Sequence, residues 1–190
     1  MKTIAVLGNN SGRNAGDAAI LGCLLNDISE RYPDVEFKVP TINPAFVRQA
    51  FSKYNVKPVG LLPWNLSAKI YGVPVYRTVL NADLVLVTDA ILFDRKLYNP
   101  LFNYLWTLSR VLPKAHKRNI PTVLYNSSLG PVPTPAGKKC LKRVVNSADV
   151  LMLRDRDSID LLQDLADQSC QCSIGSGLRT ECRTRFRYPL

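Results

Sequence analysis

Six short apolar runs, each about the length of one strand, are separated mostly by stretches with helical periodicity. The run 84–87 is continuously apolar, as in a strand buried on both faces of a parallel sheet. Strands that alternate with helices pair in parallel through right-handed crossovers. The pattern therefore predicts an α/β fold with a doubly wound, mostly parallel Rossmann-like sheet. The predicted strands are 3–7, 35–39, 56–59, 83–87, 121–125 and 149–153.

Apolar residues at helical spacing predict the intervening helices. The first helix ends near Tyr32-Pro33, because proline removes a donor and restricts the residue before it. We expect Pro113 to kink or end the long aromatic-rich helix, and Asp155 or Asp157 to be the N-cap of the last one. The aromatic-rich helix begins at about Pro100, and further helices are predicted at 44–54 and 136–147.

The loop 8–17 joins the first strand directly to a helix and consists of small and polar residues. Backbone N–H groups at a helix N-terminus, together with the helix dipole, favour a bound anion. The alternative is that glycine and asparagine occur there only because the chain must reverse. Two more polar loops, 88–94 and 126–135, also follow predicted strands. Because ligands bind beyond the carboxyl ends of parallel strands, we expect all three loops to meet at one ligand-binding edge.

The 190-residue chain is long enough for one full domain, which we place at 1–166, and it carries a formal net charge of +10. The first explanation of this charge is a solvated protein surface. The second is attraction to anionic substrates or membrane surfaces. No nucleic-acid-binding motif accompanies it, so no specific nucleic-acid partner is expected. The basic residues cluster at Lys114/Lys117/Arg118, at Lys138/Lys139/Lys142/Arg143 and at Arg179/Arg183/Arg185/Arg187.

Five cysteines and one histidine do not have zinc-ligand spacing, so we predict no metal site. A reducing cytoplasm fits this cysteine content best. The amino terminus does not resemble a signal peptide, and no apolar run approaches the roughly 20 residues that cross a bilayer. The segment 167–190 is basic and contains three of the cysteines without any periodicity, so we expect an irregular, disordered tail.

Four segments resemble, in order and spacing, the amino-terminal half of the polysaccharide pyruvyl transferase family over roughly residues 1–166. These segments are the opening from Gly8 to Leu21, the stretch 82–89, Leu129-Gly130-Pro131, and Leu153-Arg154-Asp155 with Ser158 and Leu161-Leu162. The family usually has glycines where this chain has Thr88-Asp89-Ala90. Both residues at 89–90 carry a Cβ, so we do not expect a ligand or another backbone segment to approach this part of the chain as closely as glycine would allow.

The resemblance implies half of a GT-B-like architecture, in which the site lies between two Rossmann-like halves. It also implies transfer of the enolpyruvyl unit of phosphoenolpyruvate to a sugar of a cell-surface polysaccharide. Phosphoenolpyruvate would be the donor substrate with no further cofactor, and a glycan or lipid-linked sugar at the inner membrane face would be the acceptor. Because the second half of the family pattern is not matched, we expect a truncated chain that is inactive alone, or one completed by a homo-oligomer or partner chain.

Under that resemblance Asp17 is the candidate catalytic residue, since a carboxylate at the mouth of the first loop could accept a sugar hydroxyl proton. Its alternative role is the N-cap of the first helix. Asp89 and Asp94 are candidates in the second loop, where capping of the loop is the alternative. The residues expected to bind substrate are Asn9, Arg13, Asn14, Gly16, Asp89 and Asp94. Arg154 and Asp155 are interpreted as a structural pair that stabilises the sheet at the end of a strand.

Two other functions stay open at this point. The first is a nucleotide-sugar glycosyltransferase of GT-B type, which would release a nucleotide rather than phosphate. The second is a basic module without enzymatic activity, which would bind many anionic polymers in a salt-sensitive way.

Overall fold

The computed structural model of the protein describes residues 2–61, 72–88, 92–98 and 104–171. The strands are β1 (Thr3–Leu7), β2 (Glu36–Thr41), β3 (Val56–Gly60), β4 (Leu84–Thr88), β5 (Thr122–Ser127) and β6 (Val150–Leu153). The helices are α1 (Ala15–Arg31), α2 (Pro44–Ala50), α3 (Gly72–Leu80), α4 (Leu105–Lys117), α5 (Pro135–Val145) and α6 (Arg156–Gln171).

The strands form one sheet in the order β3-β2-β1-β4-β5-β6, and every pairing in it is parallel. This is the order of a Rossmann-like doubly wound sheet, whose direction of winding reverses between β1 and β4. The predicted fold class is therefore confirmed, and all six predicted strands occur within a few residues of their expected positions.

Two apolar clusters cover the two faces of the sheet. Helices α1 and α2 pack over one face, where Phe37 and Leu25 are fully buried. Helices α3, α4 and α5 pack over the other face, where Leu108 and Leu141 are fully buried. Burial on both faces explains why the central strands are apolar at nearly every position.

The predicted elements differ from the structure in several places. Pro113 lies inside α4, which continues to Lys117, so of the two alternatives predicted for Pro113, the end of the helix is wrong. Leu112 and Ala115 on either side of it are fully buried, and this packing outweighs the lost backbone hydrogen bond. Helix α3 was not among the predicted elements, and α6 continues past the boundary expected at 166 to Gln171. The predicted start of α4 near Pro100 and the part of the predicted tail from 172 onward lie outside the described residues.

Asp155 is the capping residue of α6, as one of the two alternatives predicted. Its Oδ1 atom accepts the backbone N–H of Ser158 at 2.9 Å, whereas Asp157 lies within the first turn. Among the described helices, none is both long and apolar enough to cross a membrane.

Candidate functional site

The loop after β1 is anchored by two buried residues, Asn10 and Ser11. Asn10 Nδ2 donates to the Val6 carbonyl at 3.3 Å, and the Asn10 carbonyl accepts Thr41 Oγ1 at 2.7 Å. Asn43 Nδ2 donates to the Ser11 carbonyl at 3.3 Å, which ties this loop to the one that follows β2. The loop is therefore held in one conformation by the neighbouring strand end.

Four predicted site residues meet at the start of α1. The Asp17 carboxylate accepts Asn9 Nδ2 at 2.7 Å on one oxygen and Asn14 Nδ2 at 3.0 Å on the other. Asn14 Oδ1 accepts the backbone N–H of Gly16 at 2.9 Å, so Asn14 is the N-cap of α1. The alternative reading of Asp17 as the N-cap is wrong, because Asp17 lies in the first helical turn. Its carboxylate instead joins the two asparagines across the loop.

Arg13 stands apart from this group. Its backbone N–H donates to Ser11 Oγ at 3.4 Å, and its side chain is exposed to solvent. Gly12, immediately before it, has a φ of +76°, and a Cβ there would lie within 2.5 Å of the Phe46 ring. This position therefore needs glycine for both conformation and space.

Asp94 lies at the N-terminus of α5. Its carboxylate accepts the backbone N–H of Thr134 at 2.9 Å and the Thr134 hydroxyl at 2.5 Å, while Thr134 Oγ1 caps α5 through the N–H of Gly137 at 3.0 Å. A Cβ on Gly137 would overlap the Asp94 carboxylate. These contacts correspond to the capping alternative for Asp94. Asp89, the other candidate in that loop, lies outside the described residues.

A cleft of about 830 Å³ lies beyond the carboxyl ends of β5 and β6. It is bounded by the turn at Gly130-Pro131, by the first turn of α5 and by the start of α6. Two cationic side chains and two carboxylates line it together with small and apolar residues. The lining residues are Ser128, Leu129, Gly130, Pro131, Val132, Pro133, Lys138, Arg154, Asp155, Asp157 and Leu161.

Hydrogen bonds around Asp155 connect the two chain segments that form this cleft. The backbone N–H of Leu129 donates to Ser158 Oγ at 2.7 Å, and Ser158 Oγ donates to Asp155 Oδ1 at 2.5 Å. The Ser128 hydroxyl donates to the other carboxylate oxygen. Hydrogen bonds from Ser128 and Ser158 lower the pKa of Asp155 below its ordinary value, with a smaller effect from Arg154 and against desolvation, which raises it. Asp155 is therefore held as a carboxylate.

The turn that forms the floor of the cleft depends on Gly130. Gly130 has a φ of +91°, and a Cβ there would lie 3.0 Å from Leu161 Cδ2 on α6. The backbone N–H of Gly130 donates to the Leu92 carbonyl at 2.9 Å, and the Gly130-Pro131 peptide bond is cis. Glycine thus lets the turn lie against α6 and present its backbone to the cleft.

Lys138 and Arg154 supply the positive charge of the cleft. Arg154 Nε lies 3.7 Å from Asp155 Oδ2, which agrees with the expected pairing of these two residues, but its side chain is still 41% exposed. Lys138 is half-buried in the first turn of α5. Neither cation was among the predicted site residues. The signal that points to Arg154 is the pair of segments 129–131 and 153–158, which carry part of the family resemblance, whereas Lys138 lies outside both segments.

Polar loops thus lie at the carboxyl edge of the sheet, as predicted. Their residues, however, form separate groups along this edge. Asn9, Asn14, Gly16 and Asp17 lie together beside β1, whereas the cleft lies beside β5 and β6. Between them Gly8 packs so closely on Thr88 that a Cβ would overlap the threonine hydroxyl. Within the described residues no group of three or more metal-binding side chains occurs.

Comparison with known proteins identifies a family for this chain. A family model for polysaccharide pyruvyl transferase matches residues 14–169, which include both α1 and the whole cleft. No curated protein matches the chain. Because the family match covers most of the sequence and both of the segments that meet at the cleft, the chain belongs to the polysaccharide pyruvyl transferase family.

Proposed function

We propose that the protein transfers the enolpyruvyl unit of phosphoenolpyruvate to a sugar of a cell-surface polysaccharide or its lipid-linked precursor. The observation that carries the proposal is the cleft at the carboxyl ends of β5 and β6, where Lys138 and Arg154 accompany two carboxylates. Family membership supports the reaction class. The donor and the acceptor are part of the proposal.

The cleft has the groups that such substrates require. Phosphoenolpyruvate and a lipid-linked sugar both carry anionic oxygens, which bind most strongly to charged N–H donors. Lys138 and the exposed part of Arg154 provide those donors at the N-terminal ends of α5 and α6, where the helix dipoles favour negative charge. Asp157 is exposed in the same cleft and could accept a hydrogen bond from a sugar hydroxyl.

The reaction requires a balanced transfer of protons. One sugar hydroxyl adds to the central carbon of phosphoenolpyruvate while the methylene carbon takes up a proton and becomes a methyl group. A second hydroxyl then displaces phosphate from the same carbon, and its proton leaves with the phosphate. A ketal and inorganic phosphate are the products. Cations that bind the phosphate and the carboxylate stabilise the charge that develops in both steps.

We place Asp17 beside the acceptor sugar. Amide hydrogens from Asn9 and Asn14 already bind both of its oxygens, which orients the carboxylate at the mouth of the loop. In this proposal Asp17 accepts a hydrogen bond from an acceptor hydroxyl beside β1, apart from the donor in the cleft, and Arg13 and the backbone around Gly16 bind the rest of the sugar. Asp94 keeps α5, and with it Lys138, in position through Thr134.

The test is release of inorganic phosphate from phosphoenolpyruvate by the purified chain, with a water-soluble oligosaccharide mixture as the acceptor. Acceptor-dependent release, with a mass gain of one carboxyethylidene group on the product, would support the transfer reaction and would overturn the expectation that the chain is inactive alone. The variants Lys138→Gln and Arg154→Gln should each lower the rate at least tenfold, whereas Lys139→Gln, one residue away and exposed, should not. Equal rates in all three variants would contradict the proposed cleft. Release of nucleotide from a nucleotide-sugar would instead favour a glycosyltransferase.

A further inference from the structure

Three neighbouring helices carry eight of the eleven Lys and Arg residues in the described helices. Helices α3, α4 and α5 lie side by side over the same sheet face, with α4 between the other two. Each runs from the carboxyl end of one strand to the amino end of the next, so the three helices are parallel. We name these helices the basic layer, because their sequences contain eight Lys and Arg residues and no Asp or Glu. The eight are Arg77, Arg110, Lys114, Lys117, Lys138, Lys139, Lys142 and Arg143.

Packing against the sheet turns these charges outward. In α4 the buried residues Leu108, Leu112 and Ala115 face the core, and Arg110, Lys114 and Lys117 are exposed. In α5 the buried residues Cys140, Leu141 and Val144 face the core, and Lys139, Lys142 and Arg143 are exposed. Because the two helices are parallel neighbours, their exposed stripes form one continuous positive surface.

The opposite layer does not share this charge. Helix α1 contains Asp17, Asp27 and Glu30 beside one cation, Arg31, and α2 contributes only Arg48. Helices α3, α4 and α5 are thus strongly positive, whereas α1 and α2 together are slightly acidic. Helix α6 shares the core cluster of α3, α4 and α5 through Leu162, but it carries Asp157 and Asp160 and does not extend the basic layer. A surface of one sign favours contact with an extended partner of the opposite sign.

Aromatic and apolar side chains border the basic layer at the end nearest the cleft. Tyr98 is 69% exposed and packs edge-to-face on Trp106, with ring centroids 6.3 Å apart. The Arg110 guanidinium lies over the same Trp106 ring at 4.5 Å. Val73, in the first turn of α3, is also exposed. Amphipathic aromatic rings beside cations suit the headgroup region of a bilayer, where one side of a ring is apolar and the other is hydrated.

We propose that the basic layer docks on the surface of an anionic lipid bilayer, with Tyr98 and Trp106 at its contact edge. The phosphates of the lipid headgroups complement the positive stripes of α4 and α5. This orientation would lay α4 and α5 along the membrane, with the carboxyl edge of the sheet, where the cleft lies, on the side of Tyr98 and Trp106. The docking goes beyond the transfer reaction proposed above and does not depend on it.

The test is co-sedimentation of the full chain with vesicles of phosphatidylcholine, with and without added phosphatidylglycerol. We expect binding only to the anionic vesicles and loss of that binding at high salt. The triple variant Lys117→Gln, Lys142→Gln, Arg143→Gln removes three exposed cations of the layer. Each cation near an anionic bilayer raises the partition coefficient about fivefold. The triple variant should therefore lower the partition coefficient by roughly two orders of magnitude.

The matched control removes the same charge elsewhere, through Lys2→Gln, Arg31→Gln and Arg48→Gln, and should change the partition coefficient less than about threefold at physiological salt. Equal losses in both triple variants would overturn the proposal. So would loss of binding on replacing only the four arginines at 179, 183, 185 and 187, or tighter binding to duplex DNA than to anionic vesicles. Phosphate release with a soluble acceptor should be unchanged in the basic-layer variant, which separates docking from transfer.

Discussion

The backbone N–H of Leu129 donates a 2.7 Å hydrogen bond to the hydroxyl of Ser158, 29 positions further along the chain. Ser158 is fully buried and its hydroxyl donates a hydrogen bond to Asp155, so one hydroxyl joins the turn after β5 to the N-terminus of α6. The cleft lies between these two segments. Ser158 therefore helps to set the shape of the cleft, although its side chain does not line it.

Replacing Ser158 by alanine should destabilise the protein by about 1–3 kcal/mol, because it leaves the Leu129 N–H without an acceptor in a buried position. Urea unfolding measures this change. Ser52→Ala, at an exposed turn position, is the matched control and should stay within about 0.5 kcal/mol of the parent. Equal unfolding midpoints for the two variants would show that the Leu129–Ser158 bond contributes little.

Asp155 should make stability depend on pH in the acid range. Its folded-state pKa is lowered by the Ser128 and Ser158 hydroxyls, so its contribution is present above the unfolded-state pKa of about 4. That contribution is lost as the pH falls through the lower folded-state pKa. Urea midpoints measured from neutral pH down into the acid range should therefore converge for the parent and Asp155→Asn at the acid end. A constant difference between them at every pH would contradict this assignment.

Asn14→Ala should cost about 1 kcal/mol of stability, since it removes the N-cap of α1 and one of the donors to Asp17. Asn14→Ser keeps a side-chain oxygen for capping and should recover most of that loss. Thermal and urea unfolding of the two variants provide the comparison. If serine and alanine were equally destabilising, the Asp17 contact rather than the cap would be the important one.

Gly8→Ala should destabilise the junction of β1 and β4, because the added Cβ overlaps Thr88 Oγ1. We expect a cost of about 1–3 kcal/mol, as for other overpacked sites. In a Thr88→Ala background the same substitution should cost less, with a coupling energy of at least about 0.5 kcal/mol. A double-mutant cycle by urea unfolding checks this, and strictly additive losses would exclude the overlap as the cause.

Much of the fold was predictable from the sequence because its signals are local. Apolar runs located all six strands, and the spacing of apolar residues located most of the helices. Helix α3 was missed because Gly72 and Pro74 near its start weaken a short apolar pattern of Val75 and Val79. Local rules also predict that α4 can end at Pro113, because they do not include the burial of Leu112 and Ala115.

The candidate site was predictable only in part. Asn9, Asn14, Gly16 and Asp17 were expected together because they are close in the chain, and the structure brings them into contact. Lys138 and Arg154 were not expected at a site, since each belongs to a different strand–helix unit. They share a cleft only because β5 and β6 are neighbours in the sheet.

The elements, their order and the parallel sheet follow from local patterns in the sequence, because strand and helix periodicities depend on residues a few positions apart. The family also follows from the sequence, through the segments matched within 14–169. The fold was needed to show that Asp94 binds Thr134, that Ser158 binds Leu129 and that α4 and α5 lie side by side with their charges exposed. Those relationships depend on strand order and helix packing, which bring together residues tens of positions apart.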